Sequence, residues 1–239
     1  MKNARGTVKK RQPVAAESKI DPVVIGCVVY NEKDKISKFL DAHSFADGIL
    51  IIDQSSDDGT AEIIKARTGV QYYKVGRFER LGEPSYNLVQ QLCPAGAFML
   101  RLDADEGISE KNYKELRRRA SHFRREFDIK AFMLHRKNTI NGREMNEFFR
   151  SEMDPDGMDW QMRLSFGYVF HYKNVPHTYP DPQARWAYIK PDVFMTHYKT
   201  LEEELEGINK RAGSVNAQAA RDVHYKATLE KLFGKGEAE

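Results

Sequence analysis

Val23-Val24-Ile25-Gly26-Cys27-Val28-Val29-Tyr30, followed by Asn31-Glu32, is the stretch on which the fold class turns. Its first eight residues are a continuous apolar run rich in β-branched side chains, the pattern of a strand buried on both faces. Working outward, residues 32–43 place Ile36, Phe39 and Leu40 on one helical face, and residues 48–52 form a second apolar run. Residues 55–59 are turn-forming, and Asp57 or Asp58 is placed to cap a helix through Ile63 and Ile64. Residues 70–75 predict a third strand, 84–92 a short helix with proline in its first turn, and 97–102 a fourth strand. This alternation predicts an α/β domain in which helices cover a parallel sheet.

Ligands of such sheets bind beyond the carboxyl ends of the strands. Three exits there are polar: Asn31-Glu32, then Asp53-Gln54-Ser55-Ser56-Asp57-Asp58-Gly59-Thr60, then Asp103-Ala104-Asp105-Glu106. Any one of these carboxylates alone reads as an ordinary loop or cap residue. Three converging exits point to a site. The pair Asp103 and Asp105, separated by a small residue, suits a hard cation such as Mg²⁺ or Mn²⁺, which takes oxygen ligands and leaves positions for phosphate. His197 follows a short apolar strand and is a candidate metal ligand beside Asp105, with a packed or surface histidine as the alternative. The sequence contains no zinc-hydrolase histidine pair, no P-loop, no nucleophile elbow and no dinucleotide-binding glycine pattern.

The second half reads differently. Residues 109–127 predict a charged helix carrying Lys114, Arg117, Arg118, Arg119, Arg124 and Arg125, read as a solvated face or as a surface for an acidic partner. Asn141-Gly142 between two strand-like runs marks a tight hairpin. Residues 148–157 predict a loop, 161–172 one or two strands, 175–190 a folded loop, 193–197 a short strand, and 201 to about 232 helix. The chain has 239 residues, 41% of them hydrophobic, enough for a core, and no apolar run near the roughly 20 residues of a membrane span. Cys27 and Cys93 are too few for a disulfide scaffold or a thiolate zinc cluster, and they fit a reducing, cytoplasmic setting. Net charge is +3, but Lys2, Arg5, Lys9, Lys10, Arg11 and Lys19 face only Glu17 in the first 19 residues. That arm is read as disordered and solvated, or as a contact for anionic lipid or nucleic acid.

The three polar exits, with the strands before them, resemble a family 2 glycosyltransferase of the GT-A fold across roughly residues 22–108. A weaker resemblance to bacterial lipopolysaccharide-core-type glycosyltransferases continues. Trp160-Gln161-Met162-Arg163-Leu164 is similar to their Arg-Leu-Phe block, Val175-Pro176-His177 to their Val-His-Glu block, and His197-Tyr198 to their late histidine. The resemblance implies a Rossmann-like nucleotide-diphospho-sugar transferase with a mostly parallel sheet and a C-terminal helical extension. It divides the chain into an arm (1–20), a transferase domain (21–200, with a nucleotide-sugar half at 21–108 and an acceptor half at 109–200) and the extension (201–239).

Carried over by position, the resemblance puts Tyr30, Asn31, Glu32, Asp53, Ser55 and Asp58 near the nucleotide-sugar, Asp103 on its ribose or sugar side, and Asp105 and His197 on the metal. Arg163 is expected either on a phosphate or on a structural carboxylate. The implied reaction is transfer of a sugar, with inversion, from a nucleotide-sugar such as a UDP-sugar, with Mn²⁺ or Mg²⁺ neutralising the leaving diphosphate. The acceptor would be a saccharide or lipid-linked hydroxyl of the cell envelope, met in the cytoplasm or at the inner face of the membrane. Thr178 stands where the family has glutamate, so the general base is sought elsewhere, first at Asp159 and then at Asp181. Trp160, Tyr179, Trp186 and Tyr188 are candidates to stack on acceptor rings. Rival readings are transfer to hydroxylated bases in DNA, nucleotidyl transfer, and a non-catalytic sugar-nucleotide binder.

Overall fold

In the computed structural model the described residues are 20–77, 85–145, 158–170, 184–212 and 218–233. The expectations for residues 1–19, for the loop at 148–157, for Thr178 and Tyr179, and for Asp181 lie outside them.

The first half follows the predicted alternation. Strands β1 (Val23–Val29), β2 (Gly48–Asp53), β3 (Val70–Lys74) and β4 (Phe98–Arg101) alternate with helices α1 (Lys33–Ala42), α2 (Thr60–Lys65) and α3 (Ser85–Leu92). These four strands are parallel and lie in the order β3-β2-β1-β4. β1 is central and buried on both faces, which is why its sequence is apolar throughout. On one face Ile36, Phe39 and Leu40 of α1, Ile64 of α2, and Tyr113, Leu116 and Ala120 pack on Val23, Ile25, Cys27 and Val29. On the other face Tyr86 and Val89 of α3 meet Val24, Leu50, Ile52 and Met99. A fully buried Val, Leu, Ile or Phe contributes about 1.5–3 kcal/mol. Gly26 lets α3 approach β1: a Cβ built there would lie 2.3 Å from Cγ1 of Val89.

The second half continues the same sheet in mixed directions. Strands β5 (Glu106–Gly107), β6 (Ala131–Ile140), β7 (Arg143–Glu144), β8 (Trp160–Phe166), β9 (Trp186–Tyr188) and β10 (Phe194–Lys199) extend the path as β4-β8-β6-β10-β5. β8 is antiparallel to both β4 and β6, and β10 runs parallel to β6. The predicted hairpin forms at Asn141 and Gly142, which take φ of 48° and 78°, between β6 and β7. Helix α4 (Glu110–Phe127) is capped by Ser109, whose side chain accepts from the backbone N–H of Asn112. The C-terminal segment is two helices rather than one, α5 (Leu201–Ala212) and α6 (Gln218–Phe233), with Ile208, Tyr225 and Leu229 packed on Ile140 and Met145.

Several expectations are corrected here. The residues after Asp103 form strand β5, too short for any periodicity to reveal, which pairs with β10. Residues 186–188, expected in a loop, pair with β6 as β9. Gly59, not an aspartate, is the cap of α2, although Asp58 accepts from the N–H and the hydroxyl of Thr60. The charged residues of α4 do include a solvated face, with Lys114, Arg118 and Arg125 exposed, but the arginines are paired within the chain rather than left as an anion-binding stripe. Arg117 pairs with Asp47, Arg118 and Arg119 with Glu115, Arg119 also with Asp192, and Arg124 and Arg125 with Asp21. Their charge is spent within the fold, which removes the main support for a nucleic-acid surface on this helix. Among the described residues no helix is long and apolar enough to cross a membrane.

Candidate functional site

The carboxyl ends of β1, β2 and β4 lie side by side, so the polar exits do meet at one edge of the sheet. Two of them form a connected set of turns. Asp53, at the end of β2, is fully buried; its Oδ1 accepts from the N–H (2.9 Å) and hydroxyl (2.6 Å) of Ser56, and its Oδ2 from the Tyr72 hydroxyl (2.7 Å). Asn31, with φ of 54°, exchanges two hydrogen bonds with Asp57 and donates its own N–H to the Ser56 hydroxyl. Asp58 accepts from the N–H of Lys33, and Thr60 from the N–H of Glu32. Ser55, also at positive φ, donates to the carbonyl of Val75. The Arg77 guanidinium lies 3.9 Å over the ring of Tyr30 and donates to its hydroxyl. Three of the chain's own donors meet this carboxylate, and it holds the β2 turn closed. Burial keeps the Glu32 carboxyl above its ordinary range.

The exit of β4 is built on different partners. Asp103 accepts from the Tyr86 hydroxyl at 2.7 Å and from both terminal nitrogens of Arg163 at 3.3 Å, with Arg101 at 3.7 Å. Burial works against its charge, yet Arg163, Arg101 and the Tyr86 hydroxyl hold the carboxyl well below the usual carboxylate range. Glu106 is buried and accepts from Arg163 (2.7 Å), from Arg136 (3.2 Å) and from the backbone N–H of Asp103. Arg163 reaches both acids because β8 bulges there: Phe132 pairs with Leu164 and Met133 with Met162, which leaves Arg163 as the extra residue. Of the two roles expected for Arg163, this geometry is that of a partner for structural carboxylates.

Asp105 differs from its neighbours. Its side chain is 26% exposed, and its Oδ2 faces Nε2 of His197 at 3.3 Å rather than a guanidinium. Burial opposes its charge, and a protonated His197 ring outweighs that and lowers its pKa. The pairing of β5 with β10 brings the two together: Glu106 is in register with His197, and the N–H of Tyr198 donates to the carbonyl of Asp105. On the far side of the ring, Nδ1 of His197 lies 2.9 Å from Oδ1 of Asn138. A carboxylate oxygen and an imidazole nitrogen suit Mn²⁺, and the oxygen suits Mg²⁺. Among the described residues no group of three His, Cys, Asp or Glu forms a metal cage. A cation held by this pair would complete its shell with water and phosphate oxygens, the usual arrangement where a divalent ion is shared with a nucleotide.

Asp159 does not fit the role of general base. It is buried, and Arg136 (2.8 Å), Asn138 (2.8 Å) and Gln161 (2.6 Å) donate to its two oxygens. Burial opposes its charge, but Arg136 and the two amides hold its pKa below the ordinary value, and the lone pair that Oδ1 keeps beside Gln161 belongs to a buried side chain. Sequence reasoning passed over Arg136 and Asn138. The available signal was a polar pair two residues apart, hence on one face, inside a strand that begins as Ala131-Phe132-Met133-Leu134. Trp160 stacks edge-on against Tyr188, and Tyr188 against Trp186, with Trp186 and Tyr188 exposed on β9.

Beside Asp105 a cleft of about 750 Å³ runs between α1, β5, β10 and the start of α5. Phe39, Phe45, Phe194 and Tyr198 give it apolar walls, and the Lys35–Glu203 ion pair (2.7 Å) lies at its rim.

A scan of the sequence against protein-family models finds no match, and a search of curated proteins finds none. Solved structures do match. TarS 1–349 of S. aureus is similar at 14% identity over 90% of this chain and 73% of its own, with a TM-score of 0.47. The mannosyltransferase PcManGT of Pyrobaculum calidifontis, solved with GDP-Man and Mn²⁺, is similar at 15% identity over 93% and 74%, also with a TM-score of 0.47. A 4-diphosphocytidyl-2C-methyl-D-erythritol synthase is similar at 13% identity over 72% of this chain and 89% of its own, with a TM-score of 0.46.

Proposed function

We propose that the protein is a divalent-cation-dependent glycosyltransferase that moves a sugar from a nucleotide-sugar, of the UDP-sugar class, to an acceptor hydroxyl with inversion. The observation that carries this reading is the state of Asp105. It is the one acid of the β4 exit whose closest partner is an imidazole and not a guanidinium, and it stands at the sheet edge where ligands of parallel sheets bind. Asp105 and His197 would hold Mn²⁺ or Mg²⁺, which when bound supplies charge stabilisation for the departing diphosphate. Asp103, kept ionised by Arg163 and Arg101, accepts hydrogen bonds from the ribose or sugar hydroxyls. The β1 and β2 turns, tied by Asn31, Asp57 and Asp58, form the floor under the nucleotide. The cleft beside Asp105 takes the acceptor, with Tyr198 as a stacking surface for a saccharide ring. With Asp159 engaged by three donors, the reading assigns proton abstraction to Asp181.

Thermal unfolding against a panel of nucleotides and nucleotide-sugars, with and without Mn²⁺, tests the reading. A ligand that binds only the folded chain raises the midpoint by mass action. The expected result is a rise with UDP or one UDP-sugar that requires Mn²⁺, followed by release of the nucleoside diphosphate when a saccharide acceptor is added. Stabilisation by a nucleoside triphosphate with release of pyrophosphate would replace this reading with nucleotidyl transfer. No shift with any nucleoside diphosphate at millimolar concentration would end the enzyme reading.

A further inference from the structure

The hydrogen bonds behind His197 determine which of its ring nitrogens carries the proton. Asp159 accepts from Nε of Arg136 and, through Oδ2, from Nδ2 of Asn138, each at 2.8 Å. A carboxylate paired with a guanidinium has only lone pairs to offer, so the amide of Asn138 must turn its NH₂ group toward Asp159. The other end of that amide, Oδ1, is then left facing Nδ1 of His197 at 2.9 Å. An amide oxygen only accepts, so Nδ1 carries the hydrogen and the lone pair of the neutral ring sits on Nε2. Nε2 is the atom that lies 3.3 Å from Oδ2 of Asp105. Two electron-rich atoms facing each other in this way leave the place between them to a positive charge. The reverse amide would select the other tautomer, and an Nε2–H bond to Asp105 would fill that place.

The chain also closes on itself. Arg136 donates to Glu106, the neighbour of Asp105, and β10 holds Asp105 through the N–H of Tyr198. Asn138 is 1% exposed in the interior of β6, where an apolar side chain would avoid the desolvation of an amide. A fully connected polar chain at such a place fixes direction rather than adding stability.

We propose that Asn138, oriented by Asp159 and Arg136, is a positioning residue that presents the Nε2 lone pair of His197 to the cation shared with Asp105. The proposal rests on the metal reading made above. It gives Asp159 a role in place of the one expected for it, as the anchor of this chain. Outer partners of metal-binding histidines fix the tautomer and the ring orientation, and losing them costs about 10–100-fold in metal affinity.

Nitrogen NMR of the ¹⁵N-labelled full chain, metal-free and near pH ~9 so that a free imidazole is neutral, reads the tautomer directly. His197→Gln assigns the signal among the seven histidines. The expected result is a pyrrole-type Nδ1 and a pyridine-type Nε2 at His197; the opposite pattern overturns the proposal without need of any folded variant. A Mn²⁺ titration followed by electron paramagnetic resonance, with UDP present, supplies the second arm. Asn138→Ala is expected to weaken Mn²⁺ about 10–100-fold, and Asp159→Asn to weaken it less. Unchanged Mn²⁺ affinity in a folded Asn138→Ala variant overturns the proposal. Mn²⁺ bound by the wild type with the Nε2–H tautomer removes the relay alone. The expected tautomer with no Mn²⁺ binding removes the metal reading, and the use proposed for the relay with it.

Discussion

Two strand exits of this sheet are equally acidic in sequence and are built for different ends. At the exit of β2, Asp53 and Asp58 spend their oxygens on the chain's own hydroxyls and backbone N–H groups and Asp57 on the side-chain amide of Asn31, and the result is a pair of interlocked turns. At the exit of β4, Asp103 and Glu106 are neutralised by arginines from β8 and β6, and Asp105 between them is left with an imidazole. The acids of the β2 exit meet the chain's own neutral donors and hold turns. Asp105, beside an imidazole and between acids already paired with arginines, is the carboxylate with a place for a cation. The comparison teaches that an acidic run names a candidate site, and the partners decide which candidate is one.

The largest effect expected at the β4 exit is on stability, through Arg163. Replacing it with methionine strips Asp103 and Glu106 of a shared buried counter-ion and should cost about 3–5 kcal/mol in urea unfolding. A loss under about 1 kcal/mol would show that the cluster is far more hydrated than its burial indicates. Next comes Asp105→Asn, which should lower transfer activity at least ~100-fold, about 2.7 kcal/mol of transition-state stabilisation, with little change in melting temperature. The same variant with full activity would move the site away from β4. Asp53→Ala should do the reverse: it leaves Ser56 and Tyr72 without an acceptor and costs about 1–3 kcal/mol, while the folded fraction keeps its affinity for UDP. Equal losses of UDP binding at Asp53 and Asp105 would erase the distinction between the exits.

Acid should act on the β4 side. Asp103, Asp105 and Asp159 have folded pKa values below an unfolded value of about 3.9, so the folded chain binds fewer protons than the unfolded one. Their stabilisation is complete above that value and is lost as pH falls below about 4. Asp159→Asn should flatten the fall in urea midpoint between roughly pH 5 and 2, and an unchanged slope would show that this carboxylate is not held in its charged form. The smallest effect is expected from Asp58→Ala, about 0.5–2 kcal/mol, because Asp58 supports the start of α2 without being its cap.

The parallel half could be read from residues because its signals are local: apolar runs of strand length and helical spacing at Ile36, Phe39 and Leu40; in the second half the positive-φ turn at Asn141-Gly142 was legible for the same reason. Asp103 and Asp105 were singled out by their place after a strand and His197 as the residue following a short apolar run; His197 lies within β10, and the structure brings it together with Asp105. What escaped the sequence is long-range. The bulge that aims Arg163 depends on register between β6 and β8, and β5 exists only because β10 pairs with it. The partners of Asp53 and Asp159, 19 and 23 residues away at Tyr72 and Arg136, are likewise not visible in the runs that contain these acids.

The most direct test is anomalous scattering from crystals of the full chain grown with UDP and Mn²⁺. The account predicts one Mn²⁺ peak within coordination distance of a carboxylate oxygen of Asp105 and Nε2 of His197, with diphosphate oxygens completing the shell. A peak held at Asp53, Asp57 or Asp58, or ordered UDP with no Mn²⁺ at Asp105, would contradict it.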